Sequence, residues 1–190
     1  MAVPAKDREK WDRRFAELDP YGEQPSGVLA RHESLLPSSG KALDLAGGSG
    51  RHACWLAGQG MQVTIADISS EGLERASKRS GSAGLELTCL QTDLEVDPFP
   101  EGPWNLVLSV LYLWRPLIPV AISQLSPGGL LVILQPTVVN LERHERPPRE
   151  FLLAEDELPS LATDLEIVHY EQGWLEDGRH DAFLVARKTP

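Results

Sequence analysis

Three acids and two glycines in the first half of the chain are placed to do chemistry. Asp44, Asp67 and Asp93 each stand at the end of an apolar run of strand type. Open α/β sheets bind ligands at that edge, beside the point where strand order reverses. The stretch Ala42-Leu43-Asp44-Leu45-Ala46-Gly47-Gly48-Ser49-Gly50-Arg51-His52 closes an apolar run with an acid, turns on glycines and opens a helical pattern. Gly48 and Gly50 remove Cβ atoms where a ligand lies against backbone, and the helix start offers unpaired N–H groups. Asp44, just before the glycines, suits a ligand with positive charge. Asp67 is placed to accept from both hydroxyls of a ribose. Asp93 is placed to accept from an adenine amino group, with the Leu94 N–H meeting a ring nitrogen. One strand-end Asp by itself forms turns; three on successive strands read as a nucleoside site.

The elements that hold these residues alternate between strand and helix. Strands are expected at residues 41–46, 61–66, 85–90, 104–110 and 130–134, with helices at 51–59, at 70–79 with Ser70 as cap, and from Pro116 to the Pro127-Gly128-Gly129 break. Leu106, Val107 and Leu108 are contiguous, as in a parallel strand buried on both faces. Such alternation implies a doubly wound sheet with right-handed crossovers. Residues 95–103 hold three prolines and leave no room for a crossover helix. A helix at 154–161 precedes strands at 165–170 and 181–187, joined by a link at 171–180 that suits antiparallel pairing. An antiparallel last strand on a parallel sheet resembles the methyltransferase fold rather than that of the dinucleotide dehydrogenases.

Composition narrows the partners. The 190 residues carry net charge −10, with 42% hydrophobic and 24% charged residues, values ordinary for a globular domain. That charge argues against a nucleic-acid backbone as partner, because such binding neutralises phosphates with Lys and Arg. The longest apolar run, residues 106–114, is far shorter than a membrane span of about 20 residues. The charged segment 1–15 is no signal peptide. Cys54 and Cys89 lack metal-ligand spacing and read as reduced core thiols of a cytoplasmic protein, with no metal expected. One basic cluster stands out, Arg143-His144-Glu145-Arg146-Pro147-Pro148-Arg149.

The glycine turn resembles the first motif of class I S-adenosylmethionine-dependent methyltransferases. Trp11-Asp12-Arg13-Arg14-Phe15 with Tyr21-Gly22 and Pro25 looks like the opening segment of a bacterial group labelled tellurite-resistance-like, related to the thiopurine methyltransferases. Leu111-Tyr112-Leu113-Trp114-Arg115-Pro116-Leu117, Ser126-Pro127-Gly128-Gly129, Phe151-Leu152-Leu153 and His169-Tyr170-Glu171-Gln172-Gly173 resemble it too. The resemblance covers nearly the whole chain. It implies a single α/β domain over 1–190, Rossmann-like, with a seven-stranded, mostly parallel sheet in the order 3-2-1-4-5-7-6 and an antiparallel last strand. Within it, residues 1–36 form an N-terminal helical lid, 41–135 the cofactor core, and 136–190 the acceptor-side loop and last strands. S-adenosylmethionine is the implied cofactor, and Asp44, Ala46, Gly48, Gly50, Arg51, Asp67, Ile68, Asp93, Leu94, Ser109 and Trp11 are the residues expected to bind it. Ala46 replaces the usual first glycine of the motif, and Gln135-Pro136-Thr137 follows strand five where an acid is expected.

The methyl group of a sulfonium is already activated, so the protein mainly holds a nucleophile in line. A thiolate or other soft anion needs little more, whereas an oxygen or amine nucleophile calls for a general base. Ser109-Val110-Leu111-Tyr112 lacks the Asn/Asp-Pro-Pro-aromatic motif of amide and adenine N-methyltransferases and the Pro-Cys pair of cytosine C5 enzymes. The acceptor is expected to be a small molecule; Arg143, Arg146 and Arg149 either give a local preference for a thiol-bearing or anionic one or merely keep a proline-stiffened loop in solvent, and the oligomeric state is left open. Tyr112 is either a gate beside the methyl group or packing under its loop, and His144 either lines the acceptor pocket or sits on the surface. Arg51 is placed for a methionine carboxylate, and Trp11 and Tyr21 either close a lid or dock a helix. Two other classes fit parts of the pattern. A nicotinamide oxidoreductase would use Gly48-Ser49-Gly50-Arg51-His52-Ala53 as its fingerprint, but Asp44 crowds its pyrophosphate; a non-catalytic cofactor-binding protein would keep the acids and lack turnover.

Overall fold

Leu106, Val107 and Leu108 are all fully buried. Alternation along a strand sends neighbours to opposite faces, so this is possible only where both faces of the sheet are covered. Leu106 and Leu108 pack with Ala42, Val63 and Ile65 on one face, while Val107 packs with Leu43, Leu45 and Leu131 on the other. The computed structural model describes residues 4–189; residues 1–3 and 190, the ends of the domain expected over 1–190, lie outside the described residues.

The sheet has seven strands, β1 (Lys41–Leu45), β2 (Gln62–Asp67), β3 (Leu87–Gln91), β4 (Trp104–Val110), β5 (Leu125–Pro136), β6 (Glu166–Trp174) and β7 (His180–Arg187). Their order is β3-β2-β1-β4-β5-β7-β6. The first five strands run parallel, and β7 is antiparallel to both β5 and β6. The order expected from the resemblance is the order found. Helices α2 (Gly27–Arg31), α3 (Arg51–Gly58) and α4 (Ser70–Ser82) cover one face, and α5 (Leu117–Ser123) and α6 (Glu157–Leu161) the other. Helix α1 (Pro4–Glu17) packs on α4. No helix lies between β3 and β4, as the proline-rich 95–103 stretch predicts. None of the helices, among the described residues, is long and apolar enough to cross a membrane.

Local details differ from the sequence expectation. The cap of α4 is Ser69, whose hydroxyl accepts from Gly72 N–H at 3.1 Å, and Ser70 is the first helical residue. Pro127-Gly128-Gly129 does not end a helix; it interrupts β5, where the register against β4 jumps from Trp104↔Leu125 to Leu106↔Leu130. Gly128 takes φ +77 there, a conformation open to glycine. The helix expected at 154–161 begins only at Glu157, and the β6–β7 link shrinks to residues 175–179 because both strands run longer. Cys54 is buried, but Cys89 is exposed: β3 is the edge strand of the sheet, and Cys89 Sγ turns toward α4, 3.8 Å from Leu73 O, without being covered.

Candidate active site

The glycine turn begins where β1 delivers Ala46 in a left-handed conformation, φ +50, with its N–H on Ala66 O at 2.8 Å. This backbone costs an L-residue roughly 1–2 kcal/mol, and it explains why glycine is usual here. Leu111, at the end of neighbouring β4, is also left-handed at φ +59. Two strained residues on adjacent strand ends mark the edge where a ligand sits. The glycines themselves serve the protein more directly than the sequence suggested. A Cβ on Gly48 would stand 2.5 Å from the Phe15 ring, one on Gly50 2.7 Å from Ala76 Cβ, and one on Gly47 2.7 Å from Asp44 Oδ2. The space next to Gly48 and Gly50 is filled by α1 and α4, so their missing side chains let protein, not only ligand, approach.

The acid row is real but unequal. Asp67 is buried and both oxygens are engaged, Oδ2 accepting from Gly48 N–H and Oδ1 from Ser69 N–H, each at 2.8 Å. Asp93 is buried and its Oδ1 accepts from Glu95 N–H at 3.0 Å, the turn-forming role of such a residue. Beside it Leu94 is buried in the core, and Ile68 is half-buried with its carbonyl accepting from Gln91 Nε2. Asp44 differs: it is 1% exposed and its Oδ2 has no hydrogen-bond partner. Burial, and then repulsion from Asp67, pushes its carboxyl up to about 7, against weaker relief from Arg51 and Ala53 N–H. A buried, half-satisfied carboxyl of this kind is the place where a cationic ligand group gains most.

Helix α1 is pinned across this edge. Asp12 Oδ1 accepts from Ser69 Oγ at 2.7 Å and from Glu71 N–H at 3.3 Å, so it sits on the N-terminus of α4. Phe15 is 2% exposed between Gly48 and Gly72, a burial worth about 2–3 kcal/mol. Half-buried Trp11 stacks on it at 5.9 Å. Arg79, at the end of α4, donates to Ser49 O and to Asp19 Oδ2, each at 2.6 Å, tying the turn to the segment after α1. The reach of Arg79 across the fold has no local signal in the sequence. His52 is buried and accepts from Ser26 N–H at 3.2 Å, and burial pushes its pKa down to about 3. It is a neutral structural acceptor.

The other half of this edge is built from the ends of β4, β5 and β7. Ser109 Oγ donates to Tyr112 O at 2.9 Å. The Tyr112 hydroxyl is buried without a partner, and burial, then Glu95, Asp93 and Asp67, raise its pKa. The phenol therefore stays protonated, a donor and not a base. Arg51 donates to Tyr21 O at 3.2 Å, and burial, then the nearby Arg179, lower its pKa. Asp181, absent from the sequence reading, is buried with neither oxygen hydrogen-bonded; Arg179 Nη2 lies 3.2 Å away, close but misaligned. Burial pushes its carboxyl up to about 6. Its only sequence signal is position, the second residue of β7 opposite Pro136. His144 is exposed, bonded to Gly178 O at 2.8 Å, and is not brought to Tyr112. Arg143 stacks on Trp174 at 3.7 Å, while Arg146 and Arg149 are exposed. Arg115 is a clamp, binding Glu157 through two bonds and Leu152 O at 2.9 Å.

Residues 42–129 match a family model described as a methyltransferase domain. This segment, a little under half of the chain, is similar to methyltransferase domains. Uncharacterized proteins of Mycobacterium tuberculosis and Mycobacterium bovis are 36% identical over 87 residues, 46% of this chain and 32% of theirs. The chain thus matches about a third of the length of these curated relatives. The fold of the chain is similar to that of TehB from Haemophilus influenzae, with TM-score 0.75 and 21% identity over 94% of this chain and 67% of that one. It is also similar to the N-methyltransferase NodS from Bradyrhizobium japonicum, solved with S-adenosyl-L-homocysteine, at TM-score 0.73 and 19% identity over 96% and 98%. The magnesium protoporphyrin IX methyltransferase of Synechocystis aligns at 0.72 and 15% over 100% and 98%.

Proposed function

We propose that the chain transfers a methyl group from S-adenosylmethionine to a small molecule by in-line displacement, and that the acceptor is a thiol or an anion. The observation that carries the cofactor reading is Asp44, a buried carboxyl with one oxygen unpartnered beside the glycine turn. It asks for a cationic neighbour, whereas a pyrophosphate would face its charge. The turn is also poor for a pyrophosphate, because Gly48 N–H is given to Asp67 and Gly50 N–H to Gly47 O.

When bound, S-adenosylmethionine supplies a methyl group on a positively charged sulfur, a ready electrophile. Asp67 and Asp93 hold the ribose and adenine ends, Ile68 and Leu94 line the base, and Ala46, Gly48 and Gly50 shape the turn. Trp11 lies in the lid helix, and Ser109 supports the Tyr112 carbonyl. Arg179 lies close enough to Arg51 to lower the Arg51 pKa, and the pair of guanidiniums favours a carboxylate or thiolate nearby and gives this acidic chain a local anion preference. Asp181, pushed up to about 6, is ionised at neutral pH and able to take a proton from an acceptor. Tyr112 donates a hydrogen bond at the β4 end.

Calorimetric titration with S-adenosylmethionine, S-adenosylhomocysteine and NADH tests the cofactor. Adenosylhomocysteine should bind at low micromolar affinity or tighter, about −8 kcal/mol, and NADH binding in its place would overturn the reading. The acceptor half is tested with Arg146→Ala/Arg149→Ala. The acceptor KM should rise while adenosylhomocysteine affinity stays put; unchanged turnover across a panel of thiols and oxyanions would leave those arginines outside the acceptor site.

A further inference from the structure

Away from the glycine turn, on the outermost strand β6, His32, His169 and Glu171 converge. His169 and Glu171 are two apart on β6, so both project from the same face. His32 follows α2 and meets them from the helix layer. One ligand atom from each residue lies within 4.8 Å of the other two. Glu171 Oε2 is 3.6 Å from His169 Nε2 and 3.9 Å from His32 Nε2. The two imidazole rings lie 4.4 Å apart, and both lean on buried Phe183, at 5.0 and 5.8 Å.

We propose that His32, His169 and Glu171 form a binding site for a divalent transition-metal ion of the zinc or cobalt type. Two observations point to a metal rather than a simple hydrogen-bonded cluster. His169 Nε2 is buried and has no hydrogen-bond partner. His32 Nδ1 is 2.9 Å from Val28 O. A ring that donates from Nδ1 to a carbonyl presents the lone pair of Nε2, the orientation that outer-shell carbonyls give to metal-ligating histidines. Two imidazoles and one carboxylate suit zinc, cobalt, nickel or copper and not magnesium or calcium, which prefer oxygen ligands.

The geometry is near that of a site without yet being closed. Ligand bonds of about 2.0–2.2 Å around a tetrahedral ion set donor atoms roughly 3.3–3.6 Å apart. The separations here exceed that by a few tenths of an ångström to just over one, within the reach of side-chain rotation. Glu171 is 41% exposed, so the remaining coordination positions open to solvent. The Arg31 guanidinium, 58% exposed, lies 3.6 Å from the other Glu171 oxygen. It competes weakly for the carboxylate and is free to turn outward. The ion would tie the segment that leads from α1 into β1 to the outermost strand of the sheet.

The test uses the full chain without a polyhistidine tag, stripped with a chelator and titrated with cobalt chloride. One equivalent should bind with visible d–d absorption and raise the melting temperature. His169→Gln, His32→Gln and Glu171→Gln should each weaken cobalt binding by more than about tenfold, since loss of even outer-shell support costs about 10–100-fold. Circular dichroism confirms folding of each variant, and Cys89→Ser, which removes the exposed thiol, should leave binding unchanged. If His32→Gln/His169→Gln binds cobalt as tightly as wild type, or if wild type binds none below about 100 µM, the proposal is wrong. Adenosylhomocysteine binding, measured on the same samples, reports separately on the cofactor site.

Discussion

Asp44→Asn isolates the electrostatic tension at the glycine turn. In the folded chain burial and Asp67 hold the Asp44 carboxyl up at about 7, against the ordinary 3.8. The folded state therefore binds one more proton than the unfolded chain between those two values, and stability falls as pH rises through that window. At about 1.4 kcal/mol per pH unit, the full penalty is about 4 kcal/mol, complete above pH 7. About 2 kcal/mol of it accumulates between pH 5 and pH 7, and nearly 3 by pH 8. Asparagine cannot ionise, so it removes the pH-dependent part and leaves a constant offset of about 1–3 kcal/mol for an amide without partners. Urea unfolding of both proteins at pH 5, 6, 7 and 8 should show the variant gaining on wild type by about 3 kcal/mol across the series, with equal m values. Affinity for S-adenosylmethionine should fall in the same variant, because the carboxylate no longer meets the sulfonium or ammonium charge. A stability difference that stays flat with pH would refute the assignment of a neutral, strained Asp44 to the free protein.

Gly48→Ala should cost at least about 2 kcal/mol, from a φ of +55 and the 2.5 Å approach to Phe15. Limited proteolysis should then cut α1 faster than in wild type, and no change in the digestion pattern would disprove the contact. His52, pushed down to about 3, should show no imidazole titration by NMR from pH 5 to 8. Its low folded value means that protonation opposes folding, so stability attributable to it is lost as pH falls below about 6.5; a midpoint near 6 would contradict its burial. Arg115→Ala should lower stability by about 1–2 kcal/mol, since the guanidinium is partly exposed and screened. It should leave acceptor KM unchanged, and a raised KM would place Arg115 in the pocket.

The parallel core was legible because burial on both faces leaves a contiguous apolar run, as at Leu106-Val107-Leu108, and because three acids at strand ends share one period of the fold. The missing helix before β4 was legible from prolines. The β5 interruption was not, since Pro-Gly-Gly writes the same letters for a helix stop and for a bulge, and only pairing with Trp104 tells them apart. Arg79 and Asp181 were silent for a different reason. Their roles depend on side chains distant in sequence, Ser49 and Asp19 for one, Arg179 and the β5 end for the other. The glycines carried a double meaning: the residue type announced a close approach, but not that Phe15 and Ala76 are what approach.

The docking of α1 has a kinetic consequence. Its anchors are side chains on α4 and on the turn, chiefly Asp12, Phe15 and the Arg79–Asp19 pair, and it contributes no strand to the sheet. Releasing it breaks a few kcal/mol of contacts and leaves the seven strands paired, so opening is a local excursion far cheaper than unfolding. Amide exchange in α1 should therefore run ahead of exchange in β4 and β1. The dwell time of anything held beneath the helix is then set by the grip of one phenylalanine and one arginine, and Phe15 and Arg79 would become the clock for the proposed turnover.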